Sequence, residues 1–133
     1  MNIYVLDAFA LLAHFKNEPG ALRMGELFAG ASAAGQDLPI SAVNLAEVIY
    51  KTIRQFGPDR AQQVLGKVRQ LPIDVVDIDE QLALDAAVIK GTYRISYADC
   101  IAAALAQRLG AILVTGDRGF EQIPGLKLEM LSK

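Results

Sequence analysis

The stretch SYADCIAAALAQRLGAILVTGD, residues 96–117, decides how this chain folds. Apolar residues recur at helical spacing over 97–109, and Gly110 then leads directly into an apolar, β-rich run at 112–114. A helix that passes straight into a strand of a parallel sheet runs back from the carboxyl edge of that sheet to its amino edge. Asp99, in the first turn of the helix, and Asp117, one turn beyond the strand, are therefore predicted at the same edge.

Outside this stretch, short β-rich runs alternate with segments of helical periodicity. This alternation is typical of a parallel sheet covered by helices on both faces. Gly57-Pro58 separates two of the helices, and Gly91-Thr92 ends another. We expect strands at 3–6, 38–41, 73–76, 112–114 and 126–128, and helices at 8–15, 21–33, 42–55, 59–70, 80–90 and 97–109. Because the sequence has no repeat, low-complexity tract or linker, residues 1–133 are interpreted as one domain.

Two further acids are predicted at the same edge of the sheet. Asp7 directly follows the first strand, and Glu47 lies within the first two turns of the helix that follows the second strand. All strands of a parallel sheet point one way, so these acids fall at the carboxyl edge with Asp99 and Asp117. Open α/β sheets place their ligand sites at this edge. The sequence thus predicts that four carboxylates from distant parts of the chain converge.

Each acid also has an ordinary structural explanation. Asp7 and Asp117 can cap the helix or turn that follows them, and the Ser-Tyr-Ala-Asp sequence at 96–99 has the pattern of a capping box. Glu47 can pair with Lys51, one helical turn later. Together, however, four acids without an obvious basic partner would repel one another, and bound cations would relieve that repulsion.

The residue types indicate which cation and which chemistry. An all-carboxylate set suits a hard divalent ion, Mg²⁺ or Mn²⁺, whereas zinc prefers histidine and cysteine. The only histidine, His14, is interpreted as a surface or packing residue, and the only cysteine, Cys100, as a small core residue. A divalent ion held by a few carboxylates can activate a water and stabilise an oxyanion leaving group, as in metal-dependent phosphodiester hydrolysis. The sequence has no GxSxG or P-loop motif, so serine-nucleophile and NTPase functions lack support.

At these residues the sequence resembles the PIN-domain ribonucleases, and within them the VapC toxins of toxin–antitoxin pairs. YVLDAFALLA, SAVNLAEVIYK and SYADCIAAALAQRLGAILVTGD carry the resemblance, which covers essentially the whole chain. It implies an α/β fold, a PIN-like three-layer α/β/α sandwich with a central parallel five-stranded sheet. It also implies a Mg²⁺- or Mn²⁺-dependent endoribonuclease that acts as a type II toxin. The implied catalytic and metal-binding residues are Asp7, Glu47, Asp99 and Asp117.

The resemblance assigns supporting roles to other positions. Thr115 matches the hydroxyl position of the T/S-G-D signature, and Asn44 matches a polar position often seen three residues before the glutamate. Glu121 is the candidate for an extra acid that sometimes follows the signature. The family often has Ser or Thr just after the first aspartate, where this chain has Ala8.

The resemblance also implies partners: an RNA substrate, a cognate VapB-like antitoxin and a second copy of the chain in a homodimer. The net charge of −2 does not exclude RNA, because setting four proposed ligands aside from the 15 acids leaves 11 against 13 basic residues. Arg94 and Arg118 flank motif acids and are the best candidates to contact RNA phosphates. Lys51 and Arg54 are further candidates of the same kind.

Other functions match the sequence less well. A haloacid-dehalogenase-like phosphatase needs a second Asp two residues after the first, where this chain has Phe9. A receiver-like module needs paired acids near the first strand and a late lysine, and Asp77 and Lys127 match its pattern only in part. The alternative to an enzyme is a catalytically silent PIN-like or receiver-like binding module, against which the intact set of acids argues.

The expected location is the cytoplasm. No apolar run approaches the length that crosses a bilayer, so no contact with a membrane is expected. The N-terminal sequence MNIYVLDAF lacks the basic region and cleavage pattern of a signal peptide.

Overall fold

The computed structural model describes residues 2–133, which form one sheet of five parallel strands with helices on both faces. The strands are β1 (Tyr4–Leu6), β2 (Leu38–Ser41), β3 (Ile73–Val76), β4 (Ile112–Thr115) and β5 (Leu128–Met130). Their order across the sheet is β3-β2-β1-β4-β5. The chain therefore builds the sheet outward from β1, first to one side and then to the other. The switch point lies between β1 and β4, where open α/β folds bind ligands.

Six α-helices and one 3₁₀ helix connect the strands within residues 2–133. They are α1 (Ala8–Phe15), α2 (Ala21–Ala34), α3 (Ala42–Phe56), α4 (Pro58–Val68), α5 (Glu80–Thr92), α6 (Tyr97–Leu109) and the 3₁₀ helix Arg118–Gln122. Gly35 and Gly110 end α2 and α6 in the left-handed conformation that favours glycine. The predicted α/β sandwich with a parallel five-stranded sheet is confirmed.

Several predicted boundaries differ from the structure by one or two residues; α4, for example, ends at Val68 instead of 70. α5 does not stop at residue 90 but includes Gly91 and Thr92, and it ends where the backbone of Tyr93 becomes extended. The Thr92 hydroxyl donates to the carbonyl of Val88, one turn earlier, at 2.8 Å. β5 begins at Leu128 instead of 126. The cause is a turn at Gly125 (φ 78°), in which the Leu126 N–H donates back to the carbonyl of Ile123 at 3.4 Å. Lys127 consequently precedes the last strand.

The sheet separates two hydrophobic cores, because successive strand residues point to opposite faces. Leu6 belongs to the core that α1 to α4 cover, whereas its neighbour Val5 belongs to the core that α5 and α6 cover. Both side chains are completely buried. In α6, the seven consecutive residues 100–106 are all buried, and their small alanines let this helix pack closely between the sheet and its neighbours.

His14 and Cys100 are packing residues, as predicted. The His14 ring meets the rings of Phe15 and Phe28 edge-on, at centroid distances of 5.1 and 4.9 Å. Burial lowers the pKa of His14, which favours the neutral ring. Cys100 is a free thiol in the core. Within residues 2–133, no helix combines the length and apolar character needed to cross a membrane.

Candidate active site

Three adjacent strands end in buried polar residues. Leu6 pairs with Ile40 on one side and with Val114 on the other, so the next residue of each strand lies at the same level. Those next residues are Asp7, Ser41 and Thr115, of which Asp7 is 2% exposed and the other two are completely buried. Polar groups buried this deeply need partners. The carboxyl ends of β2, β1 and β4 therefore form a polar floor beneath the candidate site.

Asp7 is the most deeply buried of the four acids. Its Oδ1 accepts the N–H of Ala10 at 2.9 Å, which is the predicted cap of α1. Burial raises the pKa of Asp7 to about 7, against the lowering effect of hydrogen bonds from Thr115 and Ala10. The charges of Asp99 and Glu47 raise it further. A carboxylate has about four lone-pair sites, so Asp7 can cap the helix and still bind a cation.

Asp99 enters the site from the first turn of α6. Ser96 is the N-cap, as predicted, and its hydroxyl accepts the N–H of Asp99 at 3.2 Å. Burial raises the pKa of the half-buried Asp99 carboxyl to about 6, a hydrogen bond with Ser96 lowers it, and the charges of Asp117 and Glu47 raise it. Asp99 therefore lies within electrostatic reach of acids from two other elements.

Asp117 lies at the exposed side of the site. Its Oδ1 accepts the N–H of Gly119 at 2.8 Å and so caps the 3₁₀ helix, as the sequence predicted for a turn. Its own N–H donates to the Thr115 hydroxyl at 3.1 Å. The same hydroxyl lowers the pKa of Asp7, so Thr115 acts on both the deepest acid and the most exposed one.

Gly116, between these two residues, has a role that the sequence pattern did not reveal. A Cβ atom at this position would lie 2.2 Å from the ring of Phe9. Any larger residue here would force the Phe9 ring of α1 to move, because that ring occupies the space of a side chain. Phe9 thus packs where the strand turns toward Asp117.

Glu47 is held by an ion pair. Its side chain, in the second turn of α3, is 15% exposed, and its Oε2 lies 2.8 Å from the Nζ of Lys51. This is the i,i+4 pair that the sequence offered as the ordinary explanation of the residue. The charge of Glu47 nonetheless raises the pKa of both Asp7 and Asp99, so Glu47 belongs to the same electrostatic cluster.

Asn44 connects the two helices that carry Glu47 and Asp99. Its N–H donates to the N-cap hydroxyl of Ser41 at 2.9 Å, and that hydroxyl donates to the Asn44 Oδ1 at 2.6 Å. The Asn44 Nδ2 then donates to the carbonyl of Ala98, in α6, at 3.1 Å. Asn44 and Ser41 are completely buried, so the two bonds between them are shielded from water.

The other predicted residues lie at the periphery. Arg94 is exposed. Arg118 is also exposed and forms an ion pair at 2.9 Å with Glu121, the candidate extra acid. Arg54 is exposed on α3, where its guanidinium lies 5.0 Å from the centroid of the Tyr50 ring.

The acid site suits a hard divalent cation by its chemistry. It offers four carboxylates, and burial together with mutual repulsion opposes the ionisation of Asp7 and Asp99, which a cation would reverse. In the conformation described for residues 2–133, no three His, Cys, Asp or Glu side chains are close enough together to hold a metal. Two acids have other partners: Glu47 has Lys51, and Asp117 has the N–H of Gly119.

The chain is similar to known proteins over nearly its full length. The family model described as PIN domain matches residues 4–126. A curated relative, the tRNA(fMet)-specific endonuclease VapC of Salmonella typhimurium, is 31% identical over 134 residues, which cover 95% of this chain and 96% of the relative.

The chain is also similar to solved structures over nearly its full length. DNA-bound VapBC from Salmonella typhimurium matches with a TM-score of 0.78 and 27% identity, and the match covers 98% of both chains. VapBC2 from Rickettsia felis, bound to a DNA fragment from its promoter, matches with a TM-score of 0.76 over 98% of this chain and 99% of the other. At 22% identity, the second likeness concerns the fold alone.

Proposed function

This chain belongs to the PIN-domain family, and from that premise we propose that it is a Mg²⁺- or Mn²⁺-dependent endoribonuclease, the toxin of a type II toxin–antitoxin pair. The observation that carries the proposal is the electrostatic coupling of four acids at the sheet's switch point. The 31% identical relative named as an endonuclease supports the reaction class. The 27% identical VapBC structure supports the toxin role.

In this proposal, Asp7, Asp99 and Asp117 would hold the metal, and Glu47 would bind it through a water or orient the attacking water. A bound divalent ion would supply an activated water for attack on phosphorus and would stabilise the charge on the leaving oxygen. The protein must present Asp7 and Asp99 as carboxylates, although burial favours their neutral forms. The Thr115 hydroxyl favours the ionised form of Asp7, and the Ser96 hydroxyl favours that of Asp99, because hydrogen bonds to a carboxylate lower its pKa.

The proposal includes substrate and partners. Arg94 and Arg118, both exposed, are proposed to contact RNA phosphates beside the acids. A VapB-like antitoxin is the proposed inhibitor, since the 27% identical Salmonella structure is a VapBC. We also propose that two copies of the chain form a homodimer. Residues 1–133 are proposed to form one PIN domain, and the proposed location is the cytoplasm.

The test compares metal binding and RNA cleavage in two matched variants. Asp99→Asn alters an acid in the first turn of α6, and Asp59→Asn alters an exposed acid in the first turn of α4. Calorimetric titration with Mn²⁺ should show binding by the wild type and Asp59→Asn but not by Asp99→Asn, and cleavage should follow the same pattern. A wild-type protein that binds no Mn²⁺ and leaves RNA intact would instead be the catalytically silent binding module.

A further inference from the structure

A lysine lies in contact with the acid site. The Nζ of Lys51 is 2.8 Å from the Oε2 of Glu47, whose side chain is 15% exposed, whereas the Lys51 side chain is 50% exposed. An ion pair with one largely buried partner is screened less than an ordinary surface pair. The positive end of Lys51 is therefore held at the site while its stem remains accessible to water.

The influence of Lys51 extends beyond its own helix. The charge of Lys51, on α3, lowers the pKa of Asp99, on α6. Conversely, the pKa of Lys51 is raised first by its hydrogen bond to Glu47 and further by the charges of Glu47 and Asp99. Lys51 thus partly neutralises a group of acids that would otherwise repel one another.

We propose that Lys51 is a built-in counter-ion that competes with the divalent metal, so that metal binding opens the Lys51–Glu47 ion pair. The inference rests on the proposed function, because it concerns the same acids. A Glu47 oxygen that accepts from an ammonium at 2.8 Å is not free to face a metal, directly or through a water. An ammonium beside a divalent cation also repels it.

The side chain of Lys51 can leave Glu47 and move into solvent at a low cost in free energy. Lysine is a compact charge on a flexible four-carbon stem, and the exposed half of the side chain offers a path into solvent. Within residues 2–133, no three acids are close enough together to hold a metal while Lys51 is paired with Glu47. Release of Lys51 would free Glu47 to turn toward Asp99 and Asp7.

The test measures metal affinity directly. Lys51→Met removes the charge and keeps most of the apolar stem, Lys51→Arg keeps the charge, and Arg108→Met removes a pair with Asp79 outside the acid cluster. In calorimetric titrations with Mn²⁺ at low ionic strength, Lys51→Met should bind about tenfold more tightly than the wild type, and the gain should shrink as salt screens the charge. Lys51→Arg should bind more weakly than Lys51→Met, and Arg108→Met should match the wild type.

Thermal unfolding supplies a second readout that does not depend on activity. In a chelating buffer, Lys51→Met should unfold at a lower temperature than the wild type, because its acids lack a counter-ion. Saturating Mn²⁺ should remove most of this difference. Arg108→Met should lose the same stability with and without Mn²⁺.

The outcomes separate this inference from the proposed function. If the wild type binds Mn²⁺ and Lys51→Met binds it equally or more weakly, Lys51 does not compete with the metal and only the present inference is overturned. If Lys51→Met unfolds at a lower temperature than the wild type by the same amount with and without Mn²⁺, the present inference is likewise overturned. If the wild type binds no Mn²⁺, both proposals are overturned.

Discussion

The side-chain amide of Asn44 donates to the backbone carbonyl of Ala98 at 3.1 Å, and this bond joins helix α3 to helix α6 inside the protein. Asn44 lies three residues before Glu47, and Ala98 lies directly before Asp99. A bond in which neither acid takes part therefore helps to hold these two acids in their relative position.

Asn44→Ala should lower both stability and RNA cleavage. It leaves the completely buried Ser41 hydroxyl without its acceptor and takes a donor from the half-buried Ala98 carbonyl, which costs about 1–3 kcal/mol of the free energy of unfolding. It also frees α3 to shift relative to α6, so the rate of cleavage should fall. Thr52→Ala is the control, because the buried Thr52 hydroxyl donates to the carbonyl of Val48 within α3. Urea unfolding and a cleavage assay should show that Thr52→Ala loses stability but keeps its activity per folded molecule; equal losses of activity in the two variants would contradict the positioning role of Asn44.

Thr115→Val should shift the pH dependence of cleavage. The Thr115 hydroxyl lowers the pKa of Asp7, so an isosteric valine should raise that pKa further. A larger fraction of Asp7 is then protonated at neutral pH, and the rising limb of the pH–rate profile should move to higher pH. Thr115→Ser, which retains a hydroxyl, should restore the original profile. A profile unchanged in Thr115→Val would mean that the hydroxyl does not control the ionisation of Asp7.

Without metal, Asp7→Asn should stabilise the protein at neutral and alkaline pH. Burial raises the pKa of Asp7 to about 7 in the folded state, against about 4 in an unfolded chain. The folded state therefore binds more protons between these values, and the wild type loses stability as pH rises from about 4 to about 7. An asparagine does not titrate, so its advantage should grow across this range and level off above pH 7. Chemical unfolding of both proteins in a chelating buffer checks this; a constant difference between them would exclude the raised pKa.

Gly116→Ala should destabilise the fold through its contact with Phe9. The added methyl group would lie 2.2 Å from the ring, and overpacking of this kind costs about 1–3 kcal/mol. In the background of Phe9→Leu, which vacates the position of the ring, the same substitution should cost less. A double-mutant cycle of thermal unfolding measures this coupling. If the two substitutions are strictly additive, the ring is not what excludes the side chain.

The edge at which the acids meet could be predicted from the sequence because it depends on connectivity. In a parallel sheet, the position of Asp7 after a strand and of Asp99 at a helix start fixes their edge without any knowledge of packing. That helices cover both faces of the sheet follows from the same alternation of periodicities. The end of α5 was less predictable, because Gly91 is tolerated inside a helix when the turn around it is otherwise regular.

What the sequence did not reveal depends on contacts between distant residues. Nothing near Asn44 indicates that its amide reaches a carbonyl 54 positions away. Likewise, the requirement for Gly116 comes from the ring of Phe9 in another element. The Lys51–Glu47 pair was foreseen from its spacing, but its proximity to Asp99 appears only once α3 and α6 are packed together.

The strand order also has a consequence for biosynthesis. β1 is made first, yet on one side it has no neighbour until β4 has been made. During translation, Asp7 is therefore made long before Thr115 and Asp117, which are among the later residues to leave the ribosome. A nascent chain that already carries three of the four acids still lacks the assembled site. If the protein is the ribonuclease proposed here, a partly translated copy is therefore not yet active.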